Sequence, residues 1–184
     1  MRKHSQSIAT AAALTGLLAL TPALFAAKMS ASDTKFMKEA AMGGKEEVEL
    51  GKLAAQKASD ADVKNFGQKM VDDHSKANDQ LQQLATQKGV SLPADLSASQ
   101  KNDVAKLDKL SGAAFDKAYV SMMVKDHKKD VAEFKKESTS AKDSDLKSWA
   151  GTTLPTLQDH LKMVQDISTK MHPTKSAKMS KKSS

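Results

Sequence analysis

Four long stretches of this chain place apolar residues at alternating steps of three and four. A chain patterned in this way buries its apolar faces by packing helix against helix. Ser32-Asp33 is a plausible cap for a first helix reaching about Lys57, with Phe36, Ala40, Gly43, Glu47, Leu50 and Ala54 on one face. Ser59-Asp60-Ala61-Asp62 resembles a capping box, and a second helix follows it through Val63, Phe66, Met70, His74, Ala77, Leu81 and Leu84 to a stop at Gly89. A third long helix presents Val120, Met123, His127, Val131 and Phe134 and ends in Ser138-Thr139-Ser140. The last runs from about Ser144 to Met171 through Trp149, Thr153, Leu157, His160, Val164 and Ile167, and Pro155 is expected to kink or restart it.

The connections set the topology. Helices one and two, and likewise three and four, are joined by a few residues, so each pair is an antiparallel hairpin. Between the hairpins lie Gly89 to Gly112, with Ser97-Ala98-Ser99-Gln100 able to cap a short helix of its own. A connection of that length can run along the whole bundle. The expected fold class is all-α: a ferritin-like four-helix bundle whose long crossover carries a short extra helix between helices two and three.

Composition removes other classes. The 184 residues contain no cysteine, which excludes disulfides, thiolate metal sites and a cysteine nucleophile. One Trp, one Tyr and five Phe are thin material for a β-sandwich core or for stacking on nucleic-acid bases. The formal charge of +7 sits in two appendages, because residues 28–169 hold as many acids as bases. A folded body without a basic face speaks against nucleic acid as a partner.

Those appendages have their own readings. Residues 1–27 combine a basic start (Arg2, Lys3), an apolar run from Ile8 to Leu20, a break at Thr21-Pro22 and small residues ending at Ala26-Ala27. This is the layout of a cleaved secretory signal peptide, so the mature chain is expected to be periplasmic or exported, with no transmembrane span. No cysteine follows the run to accept lipid. Residues 172–184 are Lys- and Ser-rich, read as a disordered tail able to make weak contact with anionic envelope components. The bundle domain then occupies 28–171.

Each long helix also carries one metal-capable side chain on its apolar stripe: Glu47, His74, His127 and His160. Every one of these histidines follows an aspartate, and Asp73, Asp126 and Asp159 are candidate outer partners that orient the imidazoles. Facing helices of a bundle hold such groups at fixed separation in a dry core, which suits a divalent ion or copper. Met70, Met123 and Met163 lie one turn from the three histidines, as thioether ligands of copper or as ordinary core filler. A buried structural polar network is the other reading of the same residues. Counted from the connecting turns, Glu47 and His74 are staggered by roughly 6 Å, an offset that opposes a single coordination layer. No GxSxG, HExxH, phosphate loop or EF-hand pattern is present, so no catalytic residue is expected.

The phrases "FMKEAAMGGKEEVELGKLA", "VKNFGQKMVDDHSKAND", "LSGAAFDKAYVSMMVKDHKKDVAEF" and "LKSWAGTTLPTLQDHLKMV" cover most of residues 36–164. In them the chain resembles the exported ferritin-like bundles of bacteria grouped as domain of unknown function 4142, a group often labelled as outer membrane proteins. The resemblance implies export, a ferritin-like fold and an undetermined activity. The outer-membrane label finds no alternating-strand barrel pattern here. The Glu-x-x-His pairs of ferritin-like di-iron centres are also missing, since Val71, Val124 and Leu157 stand three residues before the histidines. Two functions are expected from this reading: a non-enzymatic binding or stress-protective module of the envelope, or a metal-binding protein using the Glu/His layer.

Overall fold

The structure, a computed structural model, describes residues 29–171; the segments read above as signal peptide and tail lie outside the described residues. It is all-helical there: α1 (Ala31–Lys57), α2 (Ala61–Gln87), α3 (Ala98–Asp108), α4 (Gly112–Ser140) and α5 (Ser144–Met171). The caps explain the boundaries. Ser30 rather than Ser32 caps α1, accepting from the Asp33 N–H at 3.1 Å. Asp60 caps α2 through Oδ1, which accepts from the N–H groups of Asp62 (2.8 Å) and Val63 (3.2 Å). Ser97 and Gln100 form a reciprocal capping box at α3. Helix α5 is continuous through Pro155. No restart occurs, and the proline is exposed.

α1 packs on α2 and α4 on α5, and the two hairpins join through α2–α5 and α1–α4 contacts. Ion pairs between Asp62 and Lys170 and between Lys88 and Asp145, each 2.6 Å, tie the start of one helix to the end of the other, so α2 and α5 are antiparallel. The crossover therefore travels the full bundle length, along α1. Lys45 Nζ donates to the carbonyls of Pro93 (2.6 Å) and Ala94 (2.9 Å), and Gln100 Nε2 donates to that of Met42 (3.0 Å).

The two hairpins repeat one another. "ASDADVKNF" at 58–66 returns as "AKDSDLKSW" at 141–149, 83 positions later. The same offset relates Asp33 to Asp116, and the structure uses both in the same way. Asp116, at the start of α4, accepts from the N–H groups of Ser59 and Asp60 in the α1–α2 turn, each at 3.0 Å. Asp33, at the start of α1, accepts from those of Lys142 (3.1 Å) and Asp143 (2.9 Å) in the α4–α5 turn. The hairpins are thus related by an approximate two-fold axis.

The core falls into two apolar clusters. One, built around Leu50, Phe66, Phe115, Tyr119 and Val164, lies toward the α1–α2 turn. The other, around Met37, Leu81, Phe134, Leu146 and Leu157, lies toward the α4–α5 turn. On every long helix the residue dividing the two clusters is polar. Close approach of α1 and α2 beside this layer depends on glycine: a Cβ on Gly67 would come within 2.6 Å of the Ala54 Cβ and 2.8 Å of the Gly51 carbonyl oxygen.

Candidate metal centre

The dividing residues are Glu47, His74, His127 and His160, and all four are buried. His74 Nδ1 lies 3.0 Å from Glu47 Oε2, so the stagger counted along the sequence does not keep these two apart. That count assumed helices flush at their shared turn and ignored the reach of the glutamate side chain. His127 and His160 complete the layer, with imidazole centroids 5.3 to 5.8 Å apart among the three rings. Phe66 closes the floor, its ring centroid 6.2 Å from that of His127 and 6.1 Å from that of His160.

One nitrogen of each imidazole is engaged from outside the cluster or by Glu47. His127 Nδ1 sits 3.0 Å from the Met123 carbonyl oxygen one turn earlier, which fixes the proton on Nδ1. His160 Nε2 lies 2.7 Å from Asp73 Oδ2, and Lys69 pairs with that same carboxylate at 2.8 Å. The remaining nitrogens, His74 Nε2, His127 Nε2 and His160 Nδ1, are buried without a hydrogen-bond partner, as is Glu47 Oε1. One ligand nitrogen from each histidine lies within 4.8 Å of the others.

Burial disfavours a proton on any of the three imidazoles. Burial, helped by the neighbouring His160, lowers His127 to about 4. Burial lowers His74 well below its ordinary value, with His160 and His127 adding to it, and it lowers His160 against the opposing pull of Asp73. The imidazoles are therefore neutral near pH 7, the form that binds metals. Burial and the nearby Asp130 and Asp126 carboxylates raise Glu47 well above the ordinary carboxylate range.

Not every expected residue joins the layer. Asp73 does, through His160. Asp126 is half-buried beside Glu46 on the outer side of Glu47, and Asp159 is exposed with no hydrogen bond to the cluster among the described residues. Met70 and Met123 are buried in the first apolar cluster whereas Met163 is exposed, so the three methionines do not converge. Sequence reasoning missed Asp130. It stands next to Glu47 in the lining of the same cavity, adds to burial in raising Glu47, and is itself raised by burial to about 7. Its signal was the repeat, because Asp130 stands 83 positions after Glu47. The same offset pairs His127, His160 and His74 with Gly44, Ala77 and Leu157, so the repeat is chemically one-sided.

Fold and layer together define a ferritin-like four-helix bundle with three imidazoles and a carboxylate at mid-core. The chain belongs to the family described as domain of unknown function DUF4142, whose profile matches residues 18–167. Among solved structures it is similar to a DUF305 fragment from Deinococcus radiodurans, at 12% identity and a TM-score of 0.67, over 76% of this chain and 96% of that one. A DUF305 protein from Streptomyces coelicolor is similar at 12% identity and a TM-score of 0.63, over 76% and 93%. At such identity these likenesses speak for the fold alone. No match is found among curated proteins. Among the described residues no helix is long and apolar enough to cross a membrane.

Proposed function

We propose that this bundle binds one late first-row divalent metal ion, such as zinc, cobalt, nickel or copper, at His74, His127 and His160, with Glu47 as the carboxylate of the set. The observation that carries this reading is the matched pairing of nitrogens: each imidazole has one nitrogen held by a neighbour and one buried without a partner. Orphaned buried nitrogens are costly, and a cation would satisfy all three at once. Outer contacts such as Asp73 to His160 and the Met123 carbonyl to His127 are the kind that orient metal-bound imidazoles. Neutral nitrogen donors favour late transition metals over magnesium or calcium. Missing Glu-x-x-His pairs count against a di-iron centre.

Metal content of untagged protein, followed by calorimetric titration with Zn²⁺ and Co²⁺, tests the reading. One ion per chain and a rise in melting temperature on loading are expected, both lost in His127→Ala. Equal titrations of wild type and variant would leave the layer a structural polar network. The binding module is further proposed to work after export, with residues 1–27 removed. N-terminal sequencing of the protein from fractionated cells should find a start near Ala27 or Lys28, and recovery of intact Met1 in washed membranes would refute export with cleavage.

A further inference from the structure

On the side of Glu47 away from Phe66 the core is not filled. A cavity of about 50 Å³ opens there between the helices, reaching from His74 and Glu47 toward Phe36 and Trp149. Its walls include Gly44, Ala77 and Leu157, which occupy the two-fold counterparts of the three histidine positions. No second set of rings stands there: Asn78 fills the space beside Gly44, and the cavity lies between it, Ala77 and Leu157. The mouth is acidic on balance: Glu39, Asp130 and Glu133 line it against one lining cation, Lys129, which pairs with Glu133 at 3.5 Å, while Glu39 pairs with Lys35 at 3.3 Å. An adjoining groove past Gly43 adds Glu46 and Asp126 and reaches the same Glu47. At the inner end stand two groups about nineteen-twentieths buried, each with an atom lacking a partner, Glu47 Oε1 and His74 Nε2. Among the described residues, a Cβ on Gly43 at the opening would meet no atom within 4 Å.

We propose that this acid-lined cavity is the path by which the divalent cation reaches the imidazoles, with Asp130 holding it briefly before Glu47 and His74 take it over. Carboxylates lining a low-dielectric cleft concentrate cations and raise their association rate, an effect weakened by salt. Phe66 and the apolar cluster behind it close the opposite side of the layer. This inference rests on the metal reading above.

Trp149, the only tryptophan of the chain, lies in the cavity wall and reports arrival of a quenching ion such as Co²⁺ or Ni²⁺ in stopped-flow fluorescence. Gly43→Leu should plug the opening and slow both association and release by about tenfold or more, with little change in affinity, since a path lowers one barrier in both directions. Gly43→Ala, with a side chain too small to plug it, should keep the wild-type rates. Glu39→Gln with Glu133→Gln should slow association about fivefold at low salt, a difference that fades at high salt. Association rates equal to wild type in both the leucine and the double-glutamine variants, with affinity retained, would overturn the path and leave the metal site standing. A change confined to the release rate would overturn it too. Failure of the wild type to bind any metal would sink the site itself, and the path with it.

Discussion

Asp33 and Asp116 each cap the interhelical turn of the hairpin to which the other belongs. Both side chains are almost fully buried, and each accepts two backbone N–H groups that would otherwise have no partner. Removing either carboxylate takes away the partner of those part-buried turn donors. Asp116→Ala and Asp33→Ala are each expected to destabilise the fold by about 1–3 kcal/mol, measured by urea denaturation of the metal-free protein. Wild-type midpoints in both would show that the turns hold without the clamps.

The Asp33 clamp also has a pH signature. Burial works to raise its pKa, but the hydrogen bonds from Asp143, Ser30 and Lys142 outweigh it and hold Asp33 below its ordinary 3.8. A depressed folded-state pKa means stability that is complete above 3.8 and lost as pH falls through the folded value. Thermal unfolding of Asp33→Asn should therefore show a shallower loss of stability than the wild type below pH 4.

Asp130 should behave in the opposite sense. Its carboxyl titrates near 7 in the fold, chiefly through burial, against 3.8 when unexposed to that environment. The folded chain keeps a proton that the unfolded chain has released, so this residue's contribution declines as pH rises from about 4 through 7. The histidines add a slope of the other sign between 6.5 and about 4, where the unfolded chain takes up protons that His127 cannot. Metal-free Asp130→Asn should thus gain in melting temperature relative to wild type as pH is raised from 5 to 8. An unchanged difference across that range would mean that Asp130 is ionised in the fold.

In the proposed site Asp73 orients His160, whose Nε2 lies 2.7 Å from its Oδ2, and is not itself a ligand. Asp73→Asn keeps the shape but weakens the charge-assisted contact at His160 Nε2, and metal affinity should fall by about 10- to 100-fold. His127→Ala should lose more. Competition titrations against a chelating indicator would measure both, and unaltered affinity in Asp73→Asn would remove it from the site.

Gly67 allows α1 and α2 to approach next to the polar layer. Gly67→Ala should separate the helices and cost about 1–3 kcal/mol through overpacking, although alanine is the better helix former. Because Glu47 and His74 sit on those two helices, the same substitution should weaken Co²⁺ binding as well, and a stable variant with wild-type affinity would show that the spacing does not matter to the site.

How much of this was legible in the sequence follows from the range of the interactions. The stripe positions of Glu47, His74, His127 and His160 are local, fixed by 3.6 residues per turn, and the period shows them. So does the length of the segment after Gly89, which must bridge the bundle. Axial alignment of helices is not local, which is why Glu47 and His74 looked too far apart yet lie within 3.0 Å. Asp130 was hidden for a different reason. It carries no motif of its own, and only its two-fold relation to Glu47 marks it. Asp33 and Asp116 look like ordinary first-turn acids, and their partners lie 109 and 57 positions away in sequence.

The one-sidedness of the repeat bears on how the number of sites in such a scaffold could change. The backbone already offers a rotated copy of the triad at positions 44, 77 and 157. Side-chain volume stands in the way at the first of these, because a Cβ on Gly44 would fall 2.2 Å from Asn78 Oδ1. Asn78 fills the space that a side chain at position 44 would need, so a second copy of the proposed site would require that amide to move and histidines to appear at all three positions.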